Sequence, residues 1–76
     1  MKEILEYIAR GIVDEPDSVE VVESVGERGT LLELHVAPDD MGKVIGKGGR
    51  TVKAIRNVMK AAAMQQDAFV RVDVVD

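Results

Sequence analysis

Residues 42–55 read Gly42-Lys43-Val44-Ile45-Gly46-Lys47-Gly48-Gly49-Arg50-Thr51-Val52-Lys53-Ala54-Ile55, two helical patterns joined by four residues of which three are Gly. Beyond the glycines, Val52, Ile55, Met59 and Ala62 recur at spacings of three, four and three, which predicts a helix from about Arg50 to Met64 with those residues on one side. Arg50, Lys53, Arg56 and Lys60 then share the other side. Before the glycines, a short helix should run to about Ile45. Pro38 closes whatever precedes it, and Asp39 or Asp40 is placed to accept the free amide hydrogens of its first turn. The helix–glycine–helix unit therefore spans about 39–64. Glycines without side chains let a phosphodiester approach the main chain, the following helix offers the positive end of its dipole, and Lys47 adds a mobile charge. The plainer alternative is a helix–helix turn whose glycines only supply positive φ angles.

Outward from this unit, Leu5, Ile8 and Ile12 give residues 2–13 a helical stripe that ends at Asp14-Glu15-Pro16-Asp17. Val19 and Val21 alternate with Glu20 in a strand expected over Ser18–Val25, and Gly26-Glu27-Arg28-Gly29 supplies a turn. A second strand follows over Thr30–Val36, with Leu32, Leu34 and Val36 on one face and Leu31, Glu33 and His35 on the other. Val70, Val72 and Val74 mark a third strand over Ala68–Val75. The order α-β-β-α-α-β predicts an α+β fold, a three-stranded sheet with helices packed on one face. A chain of 76 residues is room for one domain, expected to occupy 1–76.

Composition narrows the function classes. Apolar residues make up 46% and charged ones 32%, a balance that supports a packed globule over disorder. There is no Cys to build a disulfide or a thiolate metal site, and no charged start followed by a long apolar run, so a soluble protein of the cytoplasm, with no membrane association, is expected. Catalysis needs a nucleophile, a base or a metal set. The chain offers one His, His35, on the strand face opposite Leu34, and the acids at 39 and 40 suit capping better than acid–base chemistry. No catalytic residue, metal or cofactor is expected. A Walker A loop needs four residues between its glycines and a Ser or Thr after the Lys, whereas three residues separate Gly42 from Gly46 and Gly48 follows Lys47. A dinucleotide fingerprint must follow a strand, and Gly46 follows a helix pattern.

The net charge of −4 argues at first against a polyanionic ligand, but its distribution does not. Residues 41–66 hold Lys43, Lys47, Arg50, Lys53, Arg56 and Lys60 and no Asp or Glu, while the remainder holds four basic and fourteen acidic side chains. A one-sign field of this kind attracts a polyanion to one face and leaves the rest acidic. A solvated helix face would look the same. With one Tyr and one Phe, aromatic stacking cannot be the main means of recognition.

Val44-Ile45-Gly46-Lys47-Gly48-Gly49 resembles the VIGxxG signature of the KH family, with Val52 and Ile55 at the apolar positions that follow it. The element order resembles that of the prokaryotic, or type II, KH fold over essentially the whole chain, as in small bacterial RNA-binding proteins made of one such domain. The resemblance implies a non-catalytic, single-stranded RNA-binding protein of RNA-chaperone or post-transcriptional regulator type, with RNA backbone across Gly46, Lys47, Gly48 and Gly49 and about four unstacked bases in a groove beside the helices. On matching positions, Val44, Ile45 and Val52 would line or support that groove. Arg50, Lys53 and Lys43 would contact phosphates, with Arg56 and Lys60 farther along and solvated. It also implies a larger KH partner of the KhpB (Jag) type and effects on cell-wall synthesis, cell length and division. A homodimer or heterodimer is expected, because one groove reads too few nucleotides for strong selectivity; Ala61, Ala62, Ala63 and Met64 are the candidate contact, unless they pack on the sheet. The rival reading is a protein-interaction module that keeps the KH shape without RNA.

Overall fold

Helix α1 (Lys2–Ile12) leads into an antiparallel hairpin, β1 (Glu20–Gly26) and β2 (Gly29–His35), followed by α2 (Met41–Ile45), α3 (Arg50–Met64) and β3 (Val70–Val75). The computed structural model describes residues 1–75, and Asp76, the last residue of the expected domain, lies outside them. The sheet order is β1-β2-β3, with β3 parallel to β2. Parallel neighbours cannot be joined by a tight turn, so the chain crosses over through α2 and α3, and this crossover sets the glycine loop between two helices. The fold is α+β, a three-stranded sheet with helices as the residue pattern predicts, and its mixed strand directions, which the pattern does not give, are consistent with a type II KH fold.

Period two along the strands decides which face carries the helices. Val21, Leu32, Leu34 and Val72 form one cluster with Leu5 and Ala9 of α1, Val44 of α2, and Ile55 and Met59 of α3. Leu5, Leu32, Leu34, Val44 and Met59 are completely buried. Each such side chain contributes about 1.5–3 kcal/mol relative to exposure, so this single layer of contacts is the main source of stability. Ile8 and Ile12 flank the α1 stripe, whose centre is Leu5 and Ala9.

Several element ends differ from the pattern, each for a local reason. β1 begins at Glu20 and not Ser18, because a 3-10 turn over Pro16–Ser18 takes the Ser18 and Val19 amides back to the carbonyls of Glu15 and Pro16, both at 3.1 Å. β2 runs one residue earlier than expected, Gly29 to His35, since Gly29 pairs with Gly26 across a two-residue turn. β3 begins at Val70 and not Ala68, because the Ala68 amide closes the end of α3 on the Ala63 carbonyl at 2.9 Å. On α3 the fourth core position is Ala63, 1% exposed, where the spacing suggested Ala62. At 100° per residue, position 63 lies within about 20° of Val52 around the helix and position 62 about 80° away.

Candidate nucleic-acid interface

Gly46 ends α2 at φ 78°, ψ 169°, with its amide bonded to the Gly42 carbonyl at 2.8 Å. That backbone region is open only to Gly. A Cβ there would also lie 2.7 Å from both Cβ and N of Thr51. Gly46 therefore sets how α3 leaves α2. Gly48 (φ 65°, ψ 18°) and Gly49 (φ 80°, ψ 13°) are left-handed, yet nothing lies within 4 Å of where their Cβ atoms would be. The glycines therefore divide by position: Gly46 is a steric requirement of the turn, whereas a side chain at Gly48 or Gly49 would meet open space. Lys47, between Gly46 and Gly48, is exposed, and no side chain among the described residues caps α3: its leading amides are met by the 3-10 turn before it, Gly49 N–H donating to the Gly46 carbonyl at 3.1 Å and Arg50 N–H to the Lys47 carbonyl, while the positive end of a 15-residue helix dipole still points at the loop.

The six basic residues of 41–66 are not equivalent. Lys47, Arg50, Lys53 and Lys60 are exposed and take part in no ion pair among the described residues. Lys43 is bonded to the Asp14 carboxylate and lies 3.9 Å from Asp40 Oδ1. The hydrogen bond to Asp14 outweighs desolvation and, with the charges of Asp14 and Asp40, raises its pKa above the ordinary lysine value. Its charge is already answered. Arg56 donates from Nε to the Val72 carbonyl at 3.0 Å, on the outer side of β3. It thereby forms one wall of an open cleft of about 430 Å³ between α3 and β3, with Asn57, Lys60 and Arg71 around it. The sequence pattern read Arg56 as simply solvated. Only the parallel placement of β3, which turns alternate carbonyls outward beneath α3, reveals this bond.

Asp40 corrects another reading. It occupies the N-cap position of α2 but makes no capping bond with its side chain. The preceding 3-10 turn already gives the Met41 amide the Pro38 carbonyl. The Asp40 carboxylate, 2% exposed, instead accepts the amides of Asp14 at 3.2 Å and Glu15 at 3.0 Å, tying the exit of α1 to the start of α2. Asp39 is exposed.

The apolar residues also separate. Val44 is fully buried and Val52 is 8% exposed, so both support the interface from beneath, while Ile45 at 37% is the accessible apolar surface beside the loop. Among the described residues no group of His, Cys, Asp and Glu is placed to hold a metal, and no helix is long and apolar enough to cross a membrane.

Residues 2–74 match the model of the family described as KhpA/KhpB, KH domain. Among similar proteins, the RNA-binding protein KhpA of Clostridium acetobutylicum is 56% identical over 75 residues, covering 99% of this chain and 100% of that one. That of Halalkalibacterium halodurans is 53% identical over the full length of both, and that of Streptomyces coelicolor 49% identical over all of this chain and 92% of its own. No solved structure matches.

Proposed function

This chain belongs to the KhpA/KhpB family of KH domains, and on that premise we propose that it binds single-stranded RNA without catalysing its turnover, holding the backbone on Gly46–Gly49. The observation that carries this reading is the coincidence of open space beside the side-chain-free Gly48 and Gly49 with the unpaired charges of Lys47, Arg50 and Lys53. Phosphates meet an unobstructed approach to the main chain and cations at one place, and Ile45 offers an apolar edge for a base. Lys43 is left out of the phosphate contacts because Asp14 holds it. Arg56, fixed over the cleft by its bond to β3, is added as a candidate for base edges. One domain over the whole chain, acting in the cytoplasm as an RNA chaperone or regulator, completes the reading, with the cell-wall, cell-length and division roles that the resemblance implies.

The reading includes a second KH unit, a further copy or a KhpB (Jag)-type partner. The family description spans both kinds of protein. Ala63 is in the core, so the expected contact at the end of α3 reduces to Ala61, Ala62 and Met64 with Val58, the last two 68% and 50% exposed.

Replacing Lys47 and Gly48 together by Asp tests the RNA reading. The loop becomes more negative by about three charges where phosphate must sit, and binding should be lost. Gly48 has positive φ, so about 1–2 kcal/mol of stability goes with it, less for Asp than for a branched residue. A folded double variant that binds single-stranded RNA as tightly as the wild type would remove RNA from this loop and favour the protein-interaction module.

A further inference from the structure

The two edges of the sheet are finished differently. On β3 the outward Val72 carbonyl is taken by Arg56. β1 has β2 on one side and no strand on the other, and no side-chain hydrogen bond among the described residues reaches it. Because Gly26 and Gly29 close a two-residue turn, they form a hydrogen-bonded pair, and counting back by two gives Ser24, Val22 and Glu20 as the residues bonded to β2. Val21, Glu23 and Val25 therefore direct their N–H and C=O groups to the free edge. Along that edge Val22 is 41% and Val25 79% exposed, and Glu20 and Glu23 are exposed.

We propose that the free edge of β1 is a docking site for an extended segment of another protein that adds a fourth strand, with Lys or Arg opposite Glu20 and Glu23 and β-branched residues opposite Val22 and Val25. The main-chain rungs at Val21, Glu23 and Val25 supply the attachment, and the two carboxylates supply the sign. A second copy of this chain is the poorer occupant. Pairing β1 with itself puts four carboxylates along one short ladder, and in the register centred on Glu23 it sets the two Glu23 side chains directly opposite each other, which is destabilising. The net charge of −4 on each copy adds to that repulsion. A basic strand reverses both terms. The site is on the opposite edge of the sheet from β3 and its cleft, and it stands whether or not the glycine loop binds RNA.

The test uses the full chain and a capped synthetic peptide, Thr-Val-Thr-Lys-Val-Thr-Lys-Thr, whose Val, Lys, Val and Lys fall opposite Val25, Glu23, Val22 and Glu20 in an antiparallel register, with its Glu-for-Lys counterpart as control. At low salt the Lys peptide should slow hydrogen exchange at the amides of Val21, Glu23 and Val25 by tenfold or more, and the Glu peptide should not. Val25→Pro removes one outward rung at constant charge and should weaken the Lys peptide at least fivefold. Glu20→Lys with Glu23→Lys, both at exposed positions, should transfer the preference to the Glu peptide and keeps the test sound if the proline variant unfolds. Equal binding of both peptides, unchanged affinity in a folded Val25→Pro variant, absence of edge protection at millimolar peptide, or protection that rises with protein concentration alone would each overturn the proposal, the last by assigning the edge to a second copy.

Discussion

Two lysines four residues apart, Lys43 in the middle of α2 and Lys47 two residues past its end, have opposite fates. Lys43 lies against Asp14 and Asp40, the Asp40 carboxylate is buried, and the amides of Asp14 and Glu15 are satisfied by it. Lys47 stands exposed between positive-φ glycines, with no acidic side chain in bonding range among the described residues. The first belongs to a closed joint and the second to an open loop. Charge inside a joint steadies the fold, and charge left unpaired beside bare main chain is what a ligand can use. A count of basic residues along 41–66 treats both alike.

The sharpest way to break the contrast is to add a methyl group at two positions of the glycine loop. Gly46→Ala should cost about 3–5 kcal/mol, because the Gly-only backbone and the contact with Thr51 act together. Gly48→Ala, left-handed but open, should cost about 1–2 kcal/mol. Urea melts of the two variants measure the difference, and equal losses would deny that the first glycine has a separate steric role.

The closed joint is probed by Asp40→Ala, which strands two partly buried amides and should cost about 2–4 kcal/mol. For a domain of this size each kcal/mol lowers the melting temperature by roughly 4–8 °C, so the shift is large in a thermal scan. A variant melting within 2 °C or so of the wild type would show that water replaces the carboxylate without loss. Smaller still is Arg56→Leu, which keeps the aliphatic stem over β3 and removes the Nε bond to Val72, a change of about 0.5–1.5 kcal/mol. If Arg56 also reads base edges, the same variant loses RNA affinity well beyond that stability change.

Most of the architecture is legible in residue order because the patterns are local. Alternation in Leu32 and Leu34, the helical period through Val52, Ile55 and Met59, and the glycines between two helix patterns each depend on neighbours a few positions away. What escapes the sequence depends on neighbours far along the chain. Asp40 reads as a cap, but its amide partners are 25 and 26 residues distant. Arg56 reads as solvated, but its acceptor is on a strand 16 residues later. Lys43 belongs with the phosphate contacts on resemblance, and only the return of Asp14 to its side engages it. The shift from Ala62 to Ala63 is of another kind, a drift of period that short spacings hide.

The salt dependence of RNA affinity tests the central claim most directly, because it counts how many counterions leave the RNA as each lysine neutralises a phosphate. Three phosphate contacts, from Lys47, Arg50 and Lys53, predict a log–log slope of about −2 for single-stranded RNA, at roughly −0.7 for each contact. Lys47→Gln should bring the slope to about −1.4, and the charge-neutral pair Asp14→Asn with Lys43→Gln should leave it near −2. A slope that falls equally in both variants, or in the Asp14/Lys43 variant alone, would contradict the division between a closed joint and an open loop.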